Sequence, residues 1–205
     1  PGRANRLNAK FSQTVLLGFE ACLKHFSGAR SEVVGTPIRP SVASRPGREE
    51  AAQFFGLDPE KPVVMVMGGS QGAQRINELV AAGLEKFEAA GIQILHIAGP
   101  ADYDSVKPAY DAHPGGGVLK GFLKEVEFAL GVADVSICRS GASSLTELSF
   151  YEIPSVLIPY PYSAEDHQVY NAEIFSKPGA AELWSQDELD EDTFADKIIE
   201  LVKDE

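Results

Sequence analysis

The stretch KPVVMVMGGSQGAQRIN, residues 61–77, places an apolar run directly before a glycine-rich turn and a segment with helical spacing. Every residue of Val63–Met67 is apolar, as in strands buried on both faces of a parallel sheet. The turn that follows contains Gly68, Gly69 and Gly72, and glycine lets a backbone turn tightly and approach a ligand closely. The stretch therefore predicts the first strand, turn and helix of a parallel α/β sheet.

Apolar runs and helical stretches go on alternating to the end of the chain. This alternation predicts a doubly wound, Rossmann-like parallel α/β sheet of six strands. The predicted strands are Val63–Met67, Ile92–Ile97, Val118–Gly121, Val135–Cys138, Ser155–Ile158 and Ala180–Trp184. The predicted helices are Gln71–Ala90, Tyr103–Ala112, Leu123–Val132, Ser143–Glu152, Asp166–Lys177 and Glu191–Lys203.

The first 60 residues follow a different pattern. Asn5–Phe26 has helical spacing in part, although Thr14–Phe19 is equally compatible with a strand. The proline-rich run VVGTPIRPSVASRPG then predicts a linker or crossing segment, followed by a short helix, Glu49–Phe55. We therefore divide the chain into a remnant of a preceding domain (1–34), a crossing segment (35–60) and a C-terminally truncated sheet domain (61–205). Because the sequence starts at Pro1, we expect it to be a piece of a longer protein.

Composition argues against several classes of protein. The 205 residues are 44% apolar and carry a net charge of −12, whereas surfaces that bind nucleic acid are normally basic. No apolar run reaches the length of about 18 residues typical of a membrane span, and no secretory signal is present. Cys22 and Cys138 lie far apart and match no metal-binding spacing, so we expect reduced thiols in a cytoplasmic setting.

The glycine turn predicts a phosphate site. Ligands of open parallel sheets bind beyond the carboxyl ends of the strands, where helix N-termini favour anions, and Ser70 adds a hydroxyl donor. The alternative is a plain tight turn with Ser70 as the N-cap. The turn matches neither the Walker A loop nor the dinucleotide fingerprint GxGxxG, so a mononucleotide or a nucleotide sugar fits better than NAD.

A second candidate is CRSGASSLTE, residues 138–147, which again leads from a strand into a helix. The N–H groups of Ala142–Leu145 are expected to face an anion, and the Glu147 carboxylate to accept both hydroxyls of a ribose. The alternative is local, because Ser144 and Glu147 have the spacing of a capping box that needs no ligand.

A third candidate is YSAEDHQVYNA, residues 162–172, in which Gln168 and Asn171 share a helix face and present amides suited to sugar hydroxyls. We expect Asp166 to cap this helix. Asp102 and Asp104 form a D-x-D pattern, but this pattern is common by chance and we predict no metal site. We expect His96 to be a hydrogen-bonded core residue, and His25 and His113 to lie at the surface.

Taken together and in this order, GGSQGAQRIN, ADVSICRSGASSLTE, IPSVLIPYP, EDHQVYNA and PGAAELW resemble the MurG family. Enzymes of that family transfer GlcNAc from UDP-GlcNAc to undecaprenyl-diphospho-muramoylpentapeptide, in the lipid II step of peptidoglycan synthesis. VVGTPIRP is similar to the segment that joins the two Rossmann-like domains of these GT-B glycosyltransferases. The resemblance covers nearly the whole chain and implies that it is the C-terminal, donor-binding half.

The resemblance also implies roles for single residues. Arg39 would bind the nucleotide diphosphate and Ser70 the α-phosphate, while Leu123 would lie at the uracil pocket. Glu147 would bind the ribose. The remaining donor-site residues are a diphosphate-binding group (Ala142, Ser143, Ser144, Leu145 and Thr146) and a GlcNAc-binding pair (Gln168 and Asn171). No metal and no cofactor are implied, and the role of His167 stays open because the family varies there.

Most of the family's N-terminal domain is missing, and with it the acceptor site. We therefore expect no catalytic residue here and no transfer by this chain alone, while the full-length hexosyltransferase would be peripheral on the cytoplasmic face of the inner membrane. The alternatives are a stand-alone UDP-GlcNAc-binding subunit that partners a membrane chain, and another GT-B enzyme such as a UDP-GlcNAc 2-epimerase. An NAD oxidoreductase is disfavoured by the missing fingerprint.

Overall fold

The computed structural model describes residues 2–68, 73–163 and 166–204. Six parallel strands form one sheet in the order β5-β4-β3-β6-β7-β8, and two further strands form a small separate sheet. In chain order the strands are β1 (Val15–Leu17), β2 (Ser31–Val33), β3 (Val63–Met67), β4 (Gln93–Ile97), β5 (Gly117–Lys120), β6 (Val135–Cys138), β7 (Ser155–Leu157) and β8 (Ala181–Leu183).

Helices cover both faces of the larger sheet. They are α2 (Arg48–Phe55), α3 (Gln74–Ala82), α4 (Leu84–Ala89), α5 (Tyr103–Ala112), α6 (Val126–Val132), α7 (Ala142–Tyr151), α8 (His167–Ser176) and α9 (Glu191–Lys203). A further helix, α1 (Arg3–Ala9), lies in the N-terminal region. Among the described residues, no helix combines the length and the apolar character needed to cross a membrane.

Alternate residues of β3 supply two cores. Val64 and Val66 pack on one face with residues of α3, α4, α5 and α9. Val63 and Met65 pack on the other face with residues of α2, α6, α7 and α8. Successive side chains of a strand point to opposite faces, so a strand covered on both sides must be apolar throughout. The predicted doubly wound fold is confirmed.

The strand order has a switch point between β3 and β6. From β3 the chain moves outward through β4 and β5, and it then returns to β6 on the opposite side of β3 before adding β7 and β8. Met67 pairs with Cys138, so the carboxyl ends of these two strands adjoin. Because their following loops lead to opposite faces of the sheet, they leave a crevice where α/β proteins bind ligands.

One predicted helix is broken in two. The segment predicted as Gln71–Ala90 forms α3 and α4, which are separated at Gly83. A Cβ at Gly83 would lie 2.8 Å from Ala195 Cβ, so the close approach of α9 requires glycine there. Packing against α9 therefore excludes a side chain at the position where the two helices meet.

The N-terminal residues do not form one helix. Val15–Leu17 is a strand, as one of the two interpretations of Thr14–Phe19 predicted, and it pairs in parallel with Ser31–Val33. Among the described side chains of this region, Ala9, Leu17 and Phe26 are the buried members of a small cluster.

The crossing segment packs into the sheet domain. Val42, Ala51 and Ala52 are fully buried in the second core. Arg48 donates two hydrogen bonds to the Asp134 carboxylate, at 2.7 and 3.0 Å. The Asp134 carboxylate in turn accepts the Val63 N–H, at 2.7 Å. Much of the predicted linker is therefore part of the fold, whereas the division of the chain into domains stays a prediction.

Candidate functional site

The first side of the crevice is the carboxyl end of β3. Gly68 directly follows this strand and is buried. Gly69, Ser70 and Gly72 lie outside the described residues, so the phosphate contacts predicted for them stay predictions. The following helix, α3, begins at Gln74.

The second side is the N-terminus of α7, which begins at Ala142, with Gly141 at the N-cap and no capping side chain. The alternative interpretation of Ser144 and Glu147 as a capping box is therefore wrong, because Ser144 lies inside the first turn. The N–H of Leu145 donates to Gly141 O at 3.0 Å, and the Leu145 side chain is buried, so this N–H does not face a ligand as predicted. The three N–H groups of residues 142–144 precede the first intrahelical bond and suit an anion.

Glu147 forms an ion pair with Arg39. Arg39 Nε lies 3.0 Å and Nη2 2.9 Å from the same carboxylate oxygen, Oε1. The Glu147 side chain is 12% exposed and that of Arg39 54% exposed. The structure thus brings together the residues predicted to bind the ribose and the diphosphate.

Two further contacts fix the crossing segment beside α7. The Tyr151 hydroxyl donates to Val42 O at 2.8 Å. Arg45 Nη2 donates to Phe150 O, and its guanidinium lies 4.7 Å from the centre of the Phe150 ring. Together with the ion pair, these contacts hold Arg39 next to the first turns of α7.

The remaining predicted diphosphate residues differ in exposure. Ser143 is exposed and Ser144 half-buried. The Thr146 hydroxyl donates to Ala142 O at 2.9 Å, within α7, so its oxygen keeps lone pairs but its proton is engaged. Leu123 follows β5 at the same edge of the sheet, is half-buried and packs against the second core.

The amides of Gln168 and Asn171 bind the protein backbone rather than an open cleft. Gln168 Oε1 accepts the Tyr160 N–H at 2.9 Å, and Asn171 Nδ2 donates to Ser140 O at 3.1 Å. Ser140 Oγ also donates to Gln168 O at 2.7 Å. These bonds tie α8 to the carboxyl end of β6 and use one polar group of each amide, which leaves the second group of each for sugar hydroxyls.

Asp166 occupies the N-cap position of α8 in a left-handed conformation with φ of 50°, but its side chain makes no capping hydrogen bond within the described part of the chain. The prediction that Asp166 caps this helix is therefore wrong. Gly141 and Asp166 together show that neither helix at this edge relies on a polar side chain for its N-cap.

Asp102 and His96 belong to a buried polar network. Asn77 Nδ2 donates to Ala98 O at 2.9 Å and to Asp102 Oδ2 at 2.8 Å, so Asn77 Oδ1 faces His96 Nε2, 2.9 Å away. His96 Nε2 therefore carries the proton, and Nδ1 accepts the Tyr110 hydroxyl at 3.1 Å. The prediction of a hydrogen-bonded core histidine is confirmed, and burial lowers the pKa of His96 to about 3.

No three His, Cys, Asp or Glu side chains gather as metal ligands in the part of the chain that the structure describes. Metal independence stays a prediction. His25 is exposed, as predicted, and His113 is half-buried with Nδ1 3.4 Å from Glu88. Cys22 and Cys138 are free thiols, and burial raises the pKa of Cys138 to about 12.

Arg139 was missed by the sequence reasoning. It is only 8% exposed and donates through Nη1 to Ile158 O and Pro159 O, both at 3.1 Å. Its Nη2 donates to Gln186 Oε1 at 2.7 Å, and burial lowers the pKa of the guanidinium. The sequence did contain a signal for this residue, because a charged side chain directly after a buried strand and before a glycine turn is unusual. Arg139 joins the ends of β6 and β7 below the crevice.

Comparison with known proteins gives one family and several relatives. Residues 63–205 match the model of the glycosyltransferase family 28 C-terminal domain. The chain is 42% identical over 203 residues to the UDP-N-acetylglucosamine–N-acetylmuramyl-(pentapeptide) pyrophosphoryl-undecaprenol N-acetylglucosamine transferase of Synechococcus elongatus, covering 99% of this chain and 54% of the relative. The protein of the same name from Nostoc sp. is 36% identical over 206 residues, covering 99% of this chain and 55% of that relative.

Among solved structures, MurG of Acinetobacter baumannii superposes with a TM-score of 0.72 at 22% identity, covering 99% of this chain and 55% of that chain. This likeness shows the fold. The chain spans about half the length of the curated relatives that it matches, at 54% and 55%. The resemblance drawn from the sequence motifs is confirmed.

Proposed function

The chain belongs to glycosyltransferase family 28, and from this premise we propose that it is the donor-binding part of an enzyme that transfers GlcNAc from UDP-GlcNAc to a lipid-linked acceptor. The names of the relatives describe such a transferase, with a muramyl-pentapeptide pyrophosphoryl-undecaprenol as its acceptor. The complete protein would act in peptidoglycan precursor synthesis, at the cytoplasmic face of the membrane that holds the lipid.

The observation that carries the proposal is the position of the Arg39–Glu147 pair. It lies on the first turns of α7, where N–H groups face the crevice at the switch point of the sheet. A cation and a helix N-terminus suit a diphosphate, and a carboxylate beside them suits the two ribose hydroxyls. A nucleoside diphosphate sugar contains both a diphosphate and a ribose.

In the proposed reaction the bond between GlcNAc and UDP breaks as the acceptor hydroxyl attacks, so negative charge grows on the diphosphate. The N–H groups of residues 142–144 and the Arg39 guanidinium would stabilise that charge. Gln168 and Asn171 would orient the sugar through the polar groups that their backbone bonds leave available. We assign no residue of this chain as the general base.

Calorimetric titration of the chain with UDP, UDP-GlcNAc and NAD tests the proposal. We expect binding of UDP and UDP-GlcNAc, much weaker binding of NAD, and no GlcNAc transfer to a lipid acceptor. A matched control is Lys86→Gln, which removes a cation paired with Asp196 on the far side of the sheet and should leave every affinity unchanged. Binding of NAD in preference to UDP would refute the proposal.

A further inference from the structure

We propose that Arg139 is a positioning residue for the sugar of a nucleotide-sugar donor, because it holds the loop to which the Gln168 amide is bonded. This loop consists of residues 158–160, directly after β7, and is called here the 158–160 loop. The inference rests on the proposed function, in which Gln168 orients GlcNAc. It adds a residue that sets the position of Gln168 without itself touching the sugar.

The Arg139 guanidinium joins three segments at one edge of the sheet. Arg139 directly follows β6 and is only 8% exposed. Its Nη1 donates to Ile158 O and to Pro159 O, both at 3.1 Å, and its Nη2 donates to Gln186 Oε1, beyond β8, at 2.7 Å. The guanidinium carbon also lies 5.5 Å from the centre of the Tyr160 ring. One side chain therefore contacts each of the three residues of the loop.

The same loop fixes the Gln168 side chain. The Tyr160 N–H donates to Gln168 Oε1 at 2.9 Å, which engages the carbonyl side of that amide. The backbone of Gln168 is held as well, because Ser140 Oγ donates to Gln168 O at 2.7 Å. Arg139 and Ser140 are consecutive, so one short stretch of chain holds both the 158–160 loop and the first turn of α8. This arrangement leaves Gln168 Nε2 to donate to a sugar hydroxyl from a defined position.

A purely structural role does not require a charge at this position. The acceptors of Arg139 are neutral oxygens, and its buried Nε has no hydrogen-bond partner within the described residues. Burial of a charged group among neutral partners opposes folding. The guanidinium nevertheless has a property that neutral side chains lack, since it donates to several oxygens at once in directions fixed by its plane. The geometry therefore favours a role in positioning the loop.

The test is calorimetric titration of the 205-residue chain with UDP and with UDP-GlcNAc, and its readout is the ratio of the second Kd to the first. Arg139→Lys keeps the charge but cannot hold the same set of oxygens. We expect it to raise the ratio about threefold to tenfold, the size of one hydrogen bond between neutral groups, and to change the Kd for UDP less than about twofold.

A double-mutant cycle shows whether Arg139 acts through Gln168. Gln168→Ala should raise the ratio by itself, and Arg139→Lys should then add little, because the side chain that it positions is gone. Arg48→Lys is the matched control. Arg48 is another half-buried arginine that donates to backbone carbonyls, but it lies beside Asp134, at the opposite end of β6. Its replacement should lower the free energy of unfolding and leave the ratio unchanged.

An unchanged ratio, including an equal rise of both Kd values, would overturn the inference. An effect of Arg139→Lys that persists in the Gln168→Ala background would overturn it as well. If Arg139→Lys does not fold, Gln186→Ala removes the acceptor of Nη2 and leaves the arginine in place. We then expect a rise in the ratio of about twofold to threefold, and no rise would overturn the inference.

The same titration separates this inference from the proposed function. If the wild type binds neither UDP nor UDP-GlcNAc, the proposed function fails, and the inference fails with it. If the wild type binds both nucleotides and Arg139→Lys leaves the ratio unchanged, the inference alone fails.

Discussion

At the scale of single residues, Arg39 and Glu147 pair with each other, and each is also proposed to contact the ligand. Both contacts of Arg39 reach Glu147 Oε1, and Arg39 is half exposed, so the pair adds roughly 1 kcal/mol or less to the free energy of unfolding. The main effect of the ion pair is therefore to position the two side chains. The pair holds the carboxylate and the guanidinium in the crevice, where each would meet a different part of a nucleotide.

Glu147→Gln should weaken UDP binding by about 1.5–3 kcal/mol, a tenfold or greater rise in Kd, because hydrogen bonds to a charged acceptor are the stronger kind. The measurement is calorimetry with UDP and with 2′-deoxy-UDP. The wild type should prefer UDP, and the variant should lose most of that preference.

The matched control is Glu152→Gln, since Glu152 is an exposed carboxylate at the C-cap of the same helix and should leave binding unchanged. Equal discrimination between the two nucleotides by the wild type and by Glu147→Gln would mean that Glu147 serves only to pair with Arg39.

The capping-box interpretation of Glu147 failed for a physical reason. A motif of four residues predicts local hydrogen bonds, whereas the observed partner, Arg39, lies 108 positions away in the sequence. Gln168 and Arg139 show the same limit, because their backbone partners belong to neighbouring loops. The types of the site residues were readable from the sequence, but their partners depend on the fold.

His96 makes a pH-dependent contribution to stability. Its pKa in the folded protein is about 3, against 6.5 for an unperturbed histidine, so between these values the unfolded chain binds one proton more than the folded one. The contribution of neutral, hydrogen-bonded His96 is therefore complete above pH 6.5 and is lost as the pH falls towards 3. The limiting slope for one proton is about 1.4 kcal/mol per pH unit.

His96→Asn should lower the free energy of unfolding at pH 7 by about 1–3 kcal/mol, because it leaves buried partners unpaired. Urea denaturation between pH 7.5 and 4.5 should show this penalty shrinking as the pH falls, since the variant has no buried imidazole to protonate. A penalty that does not vary with pH would contradict the lowered pKa.

At the scale of secondary-structure elements, the six strands of the larger sheet were predicted to within one residue at each end, whereas β2 (Ser31–Val33) was not predicted. Uniformly apolar runs such as Val63–Met67 indicate buried parallel strands, because a strand buried on both faces admits few polar side chains. Helix ends were less predictable. Leu123–Glu125 lies outside α6, which begins at Val126, although the periodicity extends through it. Packing rather than local preference determines where such helices begin.

Gly83→Ala should destabilise the protein by about 1–3 kcal/mol, the usual range for overpacking. The added methyl would lie 2.8 Å from Ala195 Cβ and 3.0 Å from Phe87 Cε2. This clash outweighs the gain in helix propensity from alanine, which is roughly 1 kcal/mol at most.

Denaturation of Gly83→Ala, of Ala195→Gly and of the double variant forms a cycle in which the double variant should be more stable than the sum of the single effects predicts. Gly28→Ala is the control, since no heavy atom lies within 4 Å of the position its Cβ would take. Strict additivity in the cycle would show that Gly83 and Ala195 do not limit the approach of α9.

At the scale of the whole molecule, burial is unevenly distributed. The two cores on the faces of the sheet hold most of the buried side chains, whereas only Ala9, Leu17 and Phe26 are buried in the N-terminal cluster. Apolar burial is the main stabilising contribution to folding. The N-terminal segment should therefore be the first part of the molecule to open.

Native-state hydrogen exchange measures this difference directly. Amides of the small sheet, such as that of Val15, which donates to Arg30 O, should be at least about tenfold less protected than amides of β3, equivalent to 1.4 kcal/mol in opening free energy.

Amides of α2 should be protected like those of β3, because α2 is buried in the second core and Arg48 joins it to Asp134. Arg48→Lys, which keeps the charge but loses the bidentate contact, should make α2 exchange earlier while the small sheet is unaffected. If the small sheet and β3 exchange together, the N-terminal segment unfolds only with the whole molecule. If α2 exchanges with the small sheet, the crossing segment is not part of the sheet domain.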